Sequence, residues 1–154
     1  MPLQRSLVDL SRLAASVVEA LRVLQPDRPI ALECLATCTC ICDADLMRRV
    51  LENLVSNAMK HTGRHGQVRV VISGSAQLTR IAVHDEGAGV VPEQRDRIFE
   101  VYATSAAPGT PRFESSGVGL AFCRLAVEAH GGTIRVENAV PQGAIFVIEL
   151  PRDL

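Results

Sequence analysis

The chain has 154 residues, of which 47% are hydrophobic and 21% are charged, which is the composition of one globular domain and not of a disordered segment. A formal net charge of -1 and the lack of a run of basic residues argue against a nucleic-acid-binding surface. No apolar stretch approaches the roughly 18 residues of a membrane span, and the charges near the N-terminus are unlike those of a signal peptide, so we expect a cytoplasmic location with no direct membrane insertion.

The first part of the chain alternates between extended and helical patterns. The pattern predicts an extended segment over 7–10, a helix capped by Ser11 and ended by Pro26, and strands over 29–35 and 39–42 with a turn between them.

Three of the five cysteines, Cys38, Cys40 and Cys42, alternate along the second predicted strand. This period places them on one face of the strand, so we expect buried thiols. Zinc sites usually space their cysteines by two to four residues and add a second pair, which this segment does not do.

The rest of the chain continues with mixed elements, and its glycines and prolines mark the boundaries between them. We predict a long helix over 45–62, capped by Asp43 or Asp45, which is followed by strands over 66–73 and 78–84. A short helix over 92–102 and a loop without periodicity over 103–116 come next. The chain then forms a helix over 117–130, with Leu120, Cys123, Leu125 and Val127 turned inward, and strands over 133–136 and 144–150. Paired neighbouring strands favour an α+β fold, a two-layer α/β sandwich, over a doubly wound one.

The long helix carries four polar residues, Asn53, Asn57, Lys60 and His61, within an arc of about 100°. This arc borders the apolar stripe that faces the core, and polar groups there are costly unless they are satisfied. The helix is therefore predicted to form one wall of a polar pocket. The alternative is an ordinary amphipathic helix with two tolerated asparagines.

Two glycine-containing segments follow strands or loops where ligands often bind. In the first, Asp85 ends a strand and can accept a hydrogen bond from an exocyclic amine, while Gly87 and Gly89 allow tight turns beside a flat ligand. A plain Asp-Gly turn is the alternative. In the second, Gly117 and Gly119 lead into a helix whose first amides can bind an anion, although no full phosphate-binding or dinucleotide motif is present.

Taken in order, four segments resemble the motifs of sensor histidine kinases. They are ENLVSNAMKHT for the N box, DEGAGV for the first glycine box, RIFEVY for the phenylalanine box and SGVGLAFCRLAVEAHGGTIRVEN for the second glycine box. The resemblance covers residues 7–151 and implies one catalytic ATP-binding domain over 1–154. It implies the Bergerat fold of DNA gyrase, MutL and the heat-shock chaperone ATPases, with a mixed, mostly antiparallel sheet and about three main helices on one face.

The resemblance also implies roles for the polar residues. Asn57 would ligate Mg²⁺, with Asn53 helping to hold the metal and the phosphates. Lys60 would contact phosphate, and we assign it to catalysis together with Asn53. His61 would pack near the adenine or ribose, and Asp85 would accept from the adenine amine.

The glycines would shape the rest of the nucleotide site. Gly87 and Gly89 would form the base pocket, while Gly117, Gly119 and the neighbouring amide of Leu120 would cradle the phosphates. The loop over 103–116 would be the lid.

The implied activity is that of an ATP-dependent protein histidine kinase. It would pass the γ-phosphate of Mg·ATP to a histidine on a separate dimerisation domain, in cis or in trans, upstream of a response regulator. Asn53 stands where the gyrase-like relatives have a glutamate that activates water, which favours transfer over hydrolysis. None of the four histidines, His61, His65, His84 and His130, stands in an acceptor motif, so we expect no phosphoacceptor domain in this chain.

Two departures from the family pattern leave rival functions open. Ser115 begins the second glycine box where glycine is usual, and Ala103-Thr104 stands where an arginine often follows the phenylalanine box. One rival is a degenerate module that binds nucleotide weakly or acts through protein contacts. Another is an anti-sigma-type serine kinase of the same superfamily.

Overall fold

The computed structural model describes residues 2–35, 38–63, 65–100 and 119–152. Its helices are α1 (Leu10–Leu24), α2 (Ala44–His61) and α3 (Gly119–Ala129). Its strands are β1 (Arg5–Asp9), β2 (Ile30–Cys34), β3 (Thr39–Asp43), β4 (Val68–Gly74), β5 (Leu78–His84), β6 (Thr133–Asn138) and β7 (Ala144–Pro151). None of the helices in the described ranges is both long enough and apolar enough to cross a bilayer.

Five strands form one sheet in the order β2-β4-β5-β7-β6. The β2–β4 pair is parallel, and the other three pairs are antiparallel. The predicted α+β sandwich with a mixed, mostly antiparallel sheet is therefore confirmed. Strands β2 and β3 follow each other in the chain but lie in different sheets, because β3 pairs with β1 in a separate antiparallel pair.

The core lies between this sheet and the helices. Alternate residues of β4, Val68, Val70 and Ile72, are fully buried, while Arg69 between them is exposed on the other face. The buried stripe of α2 meets the same layer. Burying each such aliphatic side chain contributes about 1.5–3 kcal/mol, so this layer fixes the position of α2 over the sheet.

The three alternating cysteines all point into the protein, as predicted. Cys38, Cys40 and Cys42 are no more than 2% exposed, while Ile41 between them is partly exposed. Cys123 of α3 is also buried, and burial raises the pKa of its thiol to about 12. A thiol with such a pKa stays protonated and unreactive at neutral pH.

The structure corrects the predicted beginning of the first helix. Its N-cap is Asp9, whose carboxylate accepts from the amides of Ser11 and Arg12 at 3.0 and 3.2 Å. Ser11 was thus the wrong cap, because β1 runs on to Asp9 and the helix begins directly after it. For α2, the open choice resolves to Asp43, which accepts from the amide of Leu46.

Leu125 of α3 was predicted to face inward, and this was wrong, because it is 60% exposed. The helical period explains the error. Leu120, Cys123 and Val127 are spaced by three or four residues and share one face, whereas Leu125 lies about 200° from Cys123.

The short helix predicted over 92–102 is two turns of 3₁₀-helix, Pro92–Gln94 and Arg97–Phe99. Within its described residues, 92–100, this segment buries only Ile98 and Phe99, which is too little apolar surface to support a longer amphipathic helix. Phe99 packs edge-on against Phe146 of β7, with ring centroids 6.1 Å apart, and this contact anchors the segment to the sheet. Residues 101 and 102 lie outside the described part.

One buried histidine joins the beginning of α2 to the end of α3. His130 is 2% exposed; its Nδ1–H donates to the Ala126 carbonyl at 2.6 Å, and its Nε2 accepts from the amide of Asp43 at 2.9 Å. The ring therefore carries one proton, on Nδ1, and fixes the spacing between the two helices at this end.

Replacing His130 with leucine is expected to lower the free energy of unfolding by about 2–3 kcal/mol, because the buried amide of Asp43 loses its acceptor. Urea denaturation would measure the change. The matched control is His65→Leu, at an exposed histidine, which should alter stability by less than about 0.5 kcal/mol. Equal stability of the two variants would contradict a role for the buried bridge.

Candidate functional site

A small cavity of about 40 Å³ lies between α2 and the beginning of α3, and we call it the helix cavity. Its lining is formed by Asn53, Ser56, Asn57, Lys60, Gly119 and Leu120. Five of these six are residues that the sequence assigned to the site. Ser56 was missed, although its spacing of three residues from Asn53 places it on the same helix face.

Asn57 is the most unusual residue of the helix cavity. It is only 4% exposed, and neither its Oδ1 nor its Nδ2 has a hydrogen-bond partner in the described structure. Leaving a buried polar group unsatisfied costs about 1–3 kcal/mol. Such a side chain can bind a ligand that enters the cavity, since its amide offers both an oxygen ligand for a metal ion and an N–H donor for a hydrogen bond.

The opposite wall of the helix cavity is the first turn of α3. A Cβ atom added at Gly119 would lie 3.1 Å from Oδ1 of Asn53, so the two helices approach closely at this point. The N-terminal end of a helix carries a partial positive charge and free N–H groups, which favour an anion. Glu52, the neighbouring acid on α2, is exposed and is not part of the lining.

Asp85 stands at the end of β5 and begins residues 85–89, which we call the glycine loop. It is 5% exposed, and its Oδ1 accepts from the amides of Gly87 and Ala144 at 2.9 and 3.0 Å. Among the described residues no donor contacts its Oδ2. The carboxylate is thus held in one orientation, with one oxygen left to accept a bond from a ligand.

The glycine loop rests against the C-terminal end of α2. The amide of Glu86 donates to Oγ1 of Thr62 at 3.1 Å. A Cβ atom at Gly87 would collide with the backbone carbonyl of His61, so only glycine allows this approach. The glycine loop and the helix with the polar arc therefore form one continuous surface.

Two residues from the β6–β7 hairpin hold the other side of the glycine loop. Oδ1 of Asn138 accepts from the amide of Val90 at 2.9 Å. Gly143 has a φ angle of +103°, and a Cβ atom there would collide with the carbonyl oxygen of Asp85. No local pattern in the sequence indicates these contacts, because they join segments far apart in the chain.

The predicted site residues fall into two connected groups. Asn53, Asn57, Lys60, Gly119 and Leu120 line the helix cavity, whereas Asp85, Gly87 and Gly89 form the glycine loop. His61, which is half-buried, lies between the groups, with its carbonyl against Gly87. Gly117 and the predicted lid over 103–116 lie outside the described residues.

Comparison with known proteins identifies the family of the chain. Residues 42–154 match the family described as histidine kinase-, DNA gyrase B- and HSP90-like ATPases. The sensor histidine kinase ZraS of Escherichia coli strain K12 is 40% identical over 109 residues, which make up 71% of this chain and 22% of ZraS. The chain thus spans less than a quarter of that relative.

Solved structures show the same fold. The mycobacterial sensor histidine kinase MprB superimposes with a TM-score of 0.82 at 26% identity, covering 96% of this chain and 97% of that structure. Full-length ShkA in complex with AMPPNP superimposes with a TM-score of 0.82 at 30% identity, covering 98% of this chain and 32% of ShkA. With its glycine loop, its polar helix and these likenesses, the chain belongs to the histidine kinase-, DNA gyrase B- and HSP90-like ATPase family.

Proposed function

We propose that this domain binds Mg·ATP and donates the γ-phosphate to a histidine on a separate dimerisation domain in two-component signalling. The observation that carries this proposal is Asn57, with two buried polar atoms that have no partner in the described structure. These atoms face a cavity that the positive end of α3 closes on the other side. ShkA, 30% identical, was solved with the ATP analogue AMPPNP, which supports nucleotide as the ligand.

In this proposal Asp85 selects adenine. Its Oδ1 is occupied by two backbone amides, so Oδ2 accepts from the exocyclic amine of the base. A hydrogen bond to a charged acceptor contributes about 1.5–3 kcal/mol. Gly87 lets the loop lie flat beside the base, and the half-buried His61 borders the adenine or ribose.

The phosphates would lie at the helix cavity. Lys60 is exposed at its rim and offers a mobile positive charge. Gly119 and Leu120, at the beginning of α3, line the same cavity, and the N–H groups at the start of a helix favour an anion. The cavity itself holds about 40 Å³, so only part of the polyphosphate enters it and the rest lies along its mouth.

The donor set also fits Mg²⁺. This cation prefers oxygen ligands and keeps several waters, and the unpartnered Oδ1 of Asn57 is such a ligand, with the amide of Asn53 one helical turn away. When bound, the metal would neutralise the charge on the phosphate oxygens. The side-chain amides of Asn57 and Asn53 are neutral, so they would not compensate the phosphate charge themselves. Lys60 and the backbone amides of α3 would orient the phosphates.

Transfer to an outside acceptor fits the helix cavity better than hydrolysis does. Asn53 has no basic atom with which to activate water, and the carboxylate of Glu52 lies on an exposed part of α2 away from the lining. Phosphoryl transfer depends mainly on positioning and charge stabilisation, which this chain's residues can provide to a histidine brought by a partner.

Two measurements test the proposal. Calorimetric titration with Mg·ATP should show binding, and a lack of binding would favour a degenerate interaction module. Incubation with γ-labelled ATP and a histidine-bearing dimerisation domain should then give an acid-labile phosphohistidine. An acid-stable phosphoserine on a partner would instead identify a serine kinase.

Asn57 allows a prediction whose sign is unusual for a buried residue. Replacing it with leucine, which has the same branched arrangement of side-chain heavy atoms, removes two unsatisfied polar atoms, so the nucleotide-free domain should become more stable by about 1 kcal/mol. The same variant should lose most of the stabilisation that Mg·ATP gives to the wild type. Thermal unfolding with and without Mg·ATP measures both effects.

The matched control is Gln77→Leu, which alters an exposed amide on the β4–β5 turn and should change neither quantity appreciably. A clear loss of stability in nucleotide-free Asn57→Leu would show that the amide is satisfied within the protein. The assignment of a ligand to this side chain would then fail.

A further inference from the structure

Arg28 lies in the loop between α1 and β2, outside the lining of the helix cavity. Its guanidinium group nevertheless donates to three backbone carbonyls near the end of α2: Nη1 to Gly63 at 2.6 Å and to Gly66 at 3.2 Å, and Nη2 to Met59 at 3.2 Å. These acceptors are more than thirty positions away in the sequence, so the contact clamps a distant segment.

One of the three bonds satisfies a carbonyl that the end of α2 leaves without an intrahelical partner. The last four carbonyls of a helix have no intrahelical partner, and the C-terminal end carries a partial negative charge. Met59 provides one of these carbonyls, and a cation close to it is favourable. The planar fork of arginine suits three acceptors at fixed angles, which the single ammonium group of lysine cannot match.

The clamped segment adjoins both parts of the proposed nucleotide site. It begins beside Lys60 at the helix cavity, and it includes Thr62, whose Oγ1 accepts from the amide of Glu86 in the glycine loop. Its far end also touches that loop, because a Cβ atom at Gly66 would lie 2.7 Å from Oε2 of Glu86.

Without Arg28 the described part of this segment would keep three hydrogen bonds beyond those within α2: the amide of Thr62 to Ala58, the amide of Gly66 to Gly63, and the amide of Glu86 to Thr62. It contains two glycines, Gly63 and Gly66, which lose more backbone entropy on ordering than other residues. On the side where a Cβ atom would stand, Gly63 has open space, with no atom within 4 Å. Nucleotide binding would then have to order this segment, and the loss of backbone entropy would lower the affinity.

We propose that Arg28 is a positioning residue for nucleotide, which holds the end of α2 against the glycine loop so that Lys60 and Asp85 keep the separation that one ATP molecule requires. This rests on the proposed ATP-binding function. Arg28 does not contact the nucleotide in this account; it acts through Met59, Gly63 and Gly66.

The test compares Arg28→Met with Arg22→Met. Arg22 also donates to a backbone carbonyl, that of Ile30 at 2.6 Å, and it pairs with Glu19, but neither of these partners belongs to α2. Both variants should lose similar stability in urea. Only Arg28→Met should weaken Mg·ATP binding in calorimetry, by roughly tenfold.

Two further measurements separate positioning from general stability. The amide of Glu86 should exchange with solvent faster in Arg28→Met than in Arg22→Met, since its bond to Thr62 lies in the clamped segment. Arg28→Lys should recover part of the affinity. Adding Gly63→Ala to Arg28→Met should also recover part of it, because alanine restricts the unclamped turn without a clash.

The outcomes are distinct for the two proposals. If the wild type fails to bind Mg·ATP, the proposed function and the role of Arg28 both fail. If the wild type binds and Arg28→Met binds equally well, or if Arg22→Met weakens binding to the same extent, only the role of Arg28 is overturned. If Arg28→Met does not fold, the affinity of Arg28→Lys against that of Arg22→Met decides the question.

Discussion

Replacing Asp85 with asparagine is expected to weaken ATP binding by roughly 10- to 100-fold while leaving the fold unchanged. The reason is the asymmetric environment of the carboxylate. Two backbone amides, those of Gly87 and Ala144, hold Oδ1 and would hold the amide oxygen of asparagine in its place. The NH₂ group would then take the position of Oδ2 and meet the amine of adenine donor to donor.

Calorimetry with ATP and GTP would measure the effect, with urea denaturation as the check on folding. The control is Asp96→Asn, which alters an exposed carboxylate on the segment after the glycine loop and should leave affinity intact. Undiminished ATP binding by Asp85→Asn, with the fold preserved, would remove Asp85 from the adenine site.

Replacing Gly143 with alanine should destabilise the domain by more than about 4 kcal/mol and prevent stable folding at 37 °C. Its φ of +103° costs any other residue about 1–2 kcal/mol. The larger part comes from the added Cβ, which would collide with the carbonyl oxygen of Asp85. Backbone on both sides of this contact cannot move aside without breaking the β5–β7 pairing.

Gly131 provides the comparison, because it also has a positive φ, of +76°, but the nearest atom to its Cβ would be Pro151 Cγ at 3.7 Å. Gly131→Ala should therefore lose only about 1–2 kcal/mol. Both variants carry the cost of a positive φ, so the difference between their unfolding free energies measures the cost of the collision with Asp85. Similar losses would show that the β6–β7 turn can shift away from Asp85.

The helix with the polar arc could be predicted in detail from the sequence. A period of 3.6 residues is sufficient to place Asn53, Asn57 and Lys60 on one side, and the structure puts all three in the lining of one cavity. The same rule, applied more strictly, would have turned Leu125 outward. These features depend on residues within a few helical turns of each other, where local geometry decides.

The supports of the glycine loop could not be predicted in this way. Thr62 is 24 positions from its partner Glu86, Asn138 is 48 from Val90, and Asp85 is 59 from the amide of Ala144. Such contacts depend on which strands become neighbours, and the separation of β2 and β3 into different sheets shows that chain order does not decide this. Arg28 belongs to the same class.

The contact between Asp85 and Ala144 also closes a loop in the polymer sense. The amide of Asp85 donates to the carbonyl of Ala144 at 2.9 Å, and the amide of Ala144 donates to Oδ1 of Asp85, so two hydrogen bonds join the ends of a stretch of chain that includes α3 and β6. Closure entropy grows only with the logarithm of loop length, and a doubling costs about 0.6 kcal/mol. We therefore expect the domain to tolerate changes of length in the loops between these two residues, while Ala144 holds the carboxylate of Asp85 in place.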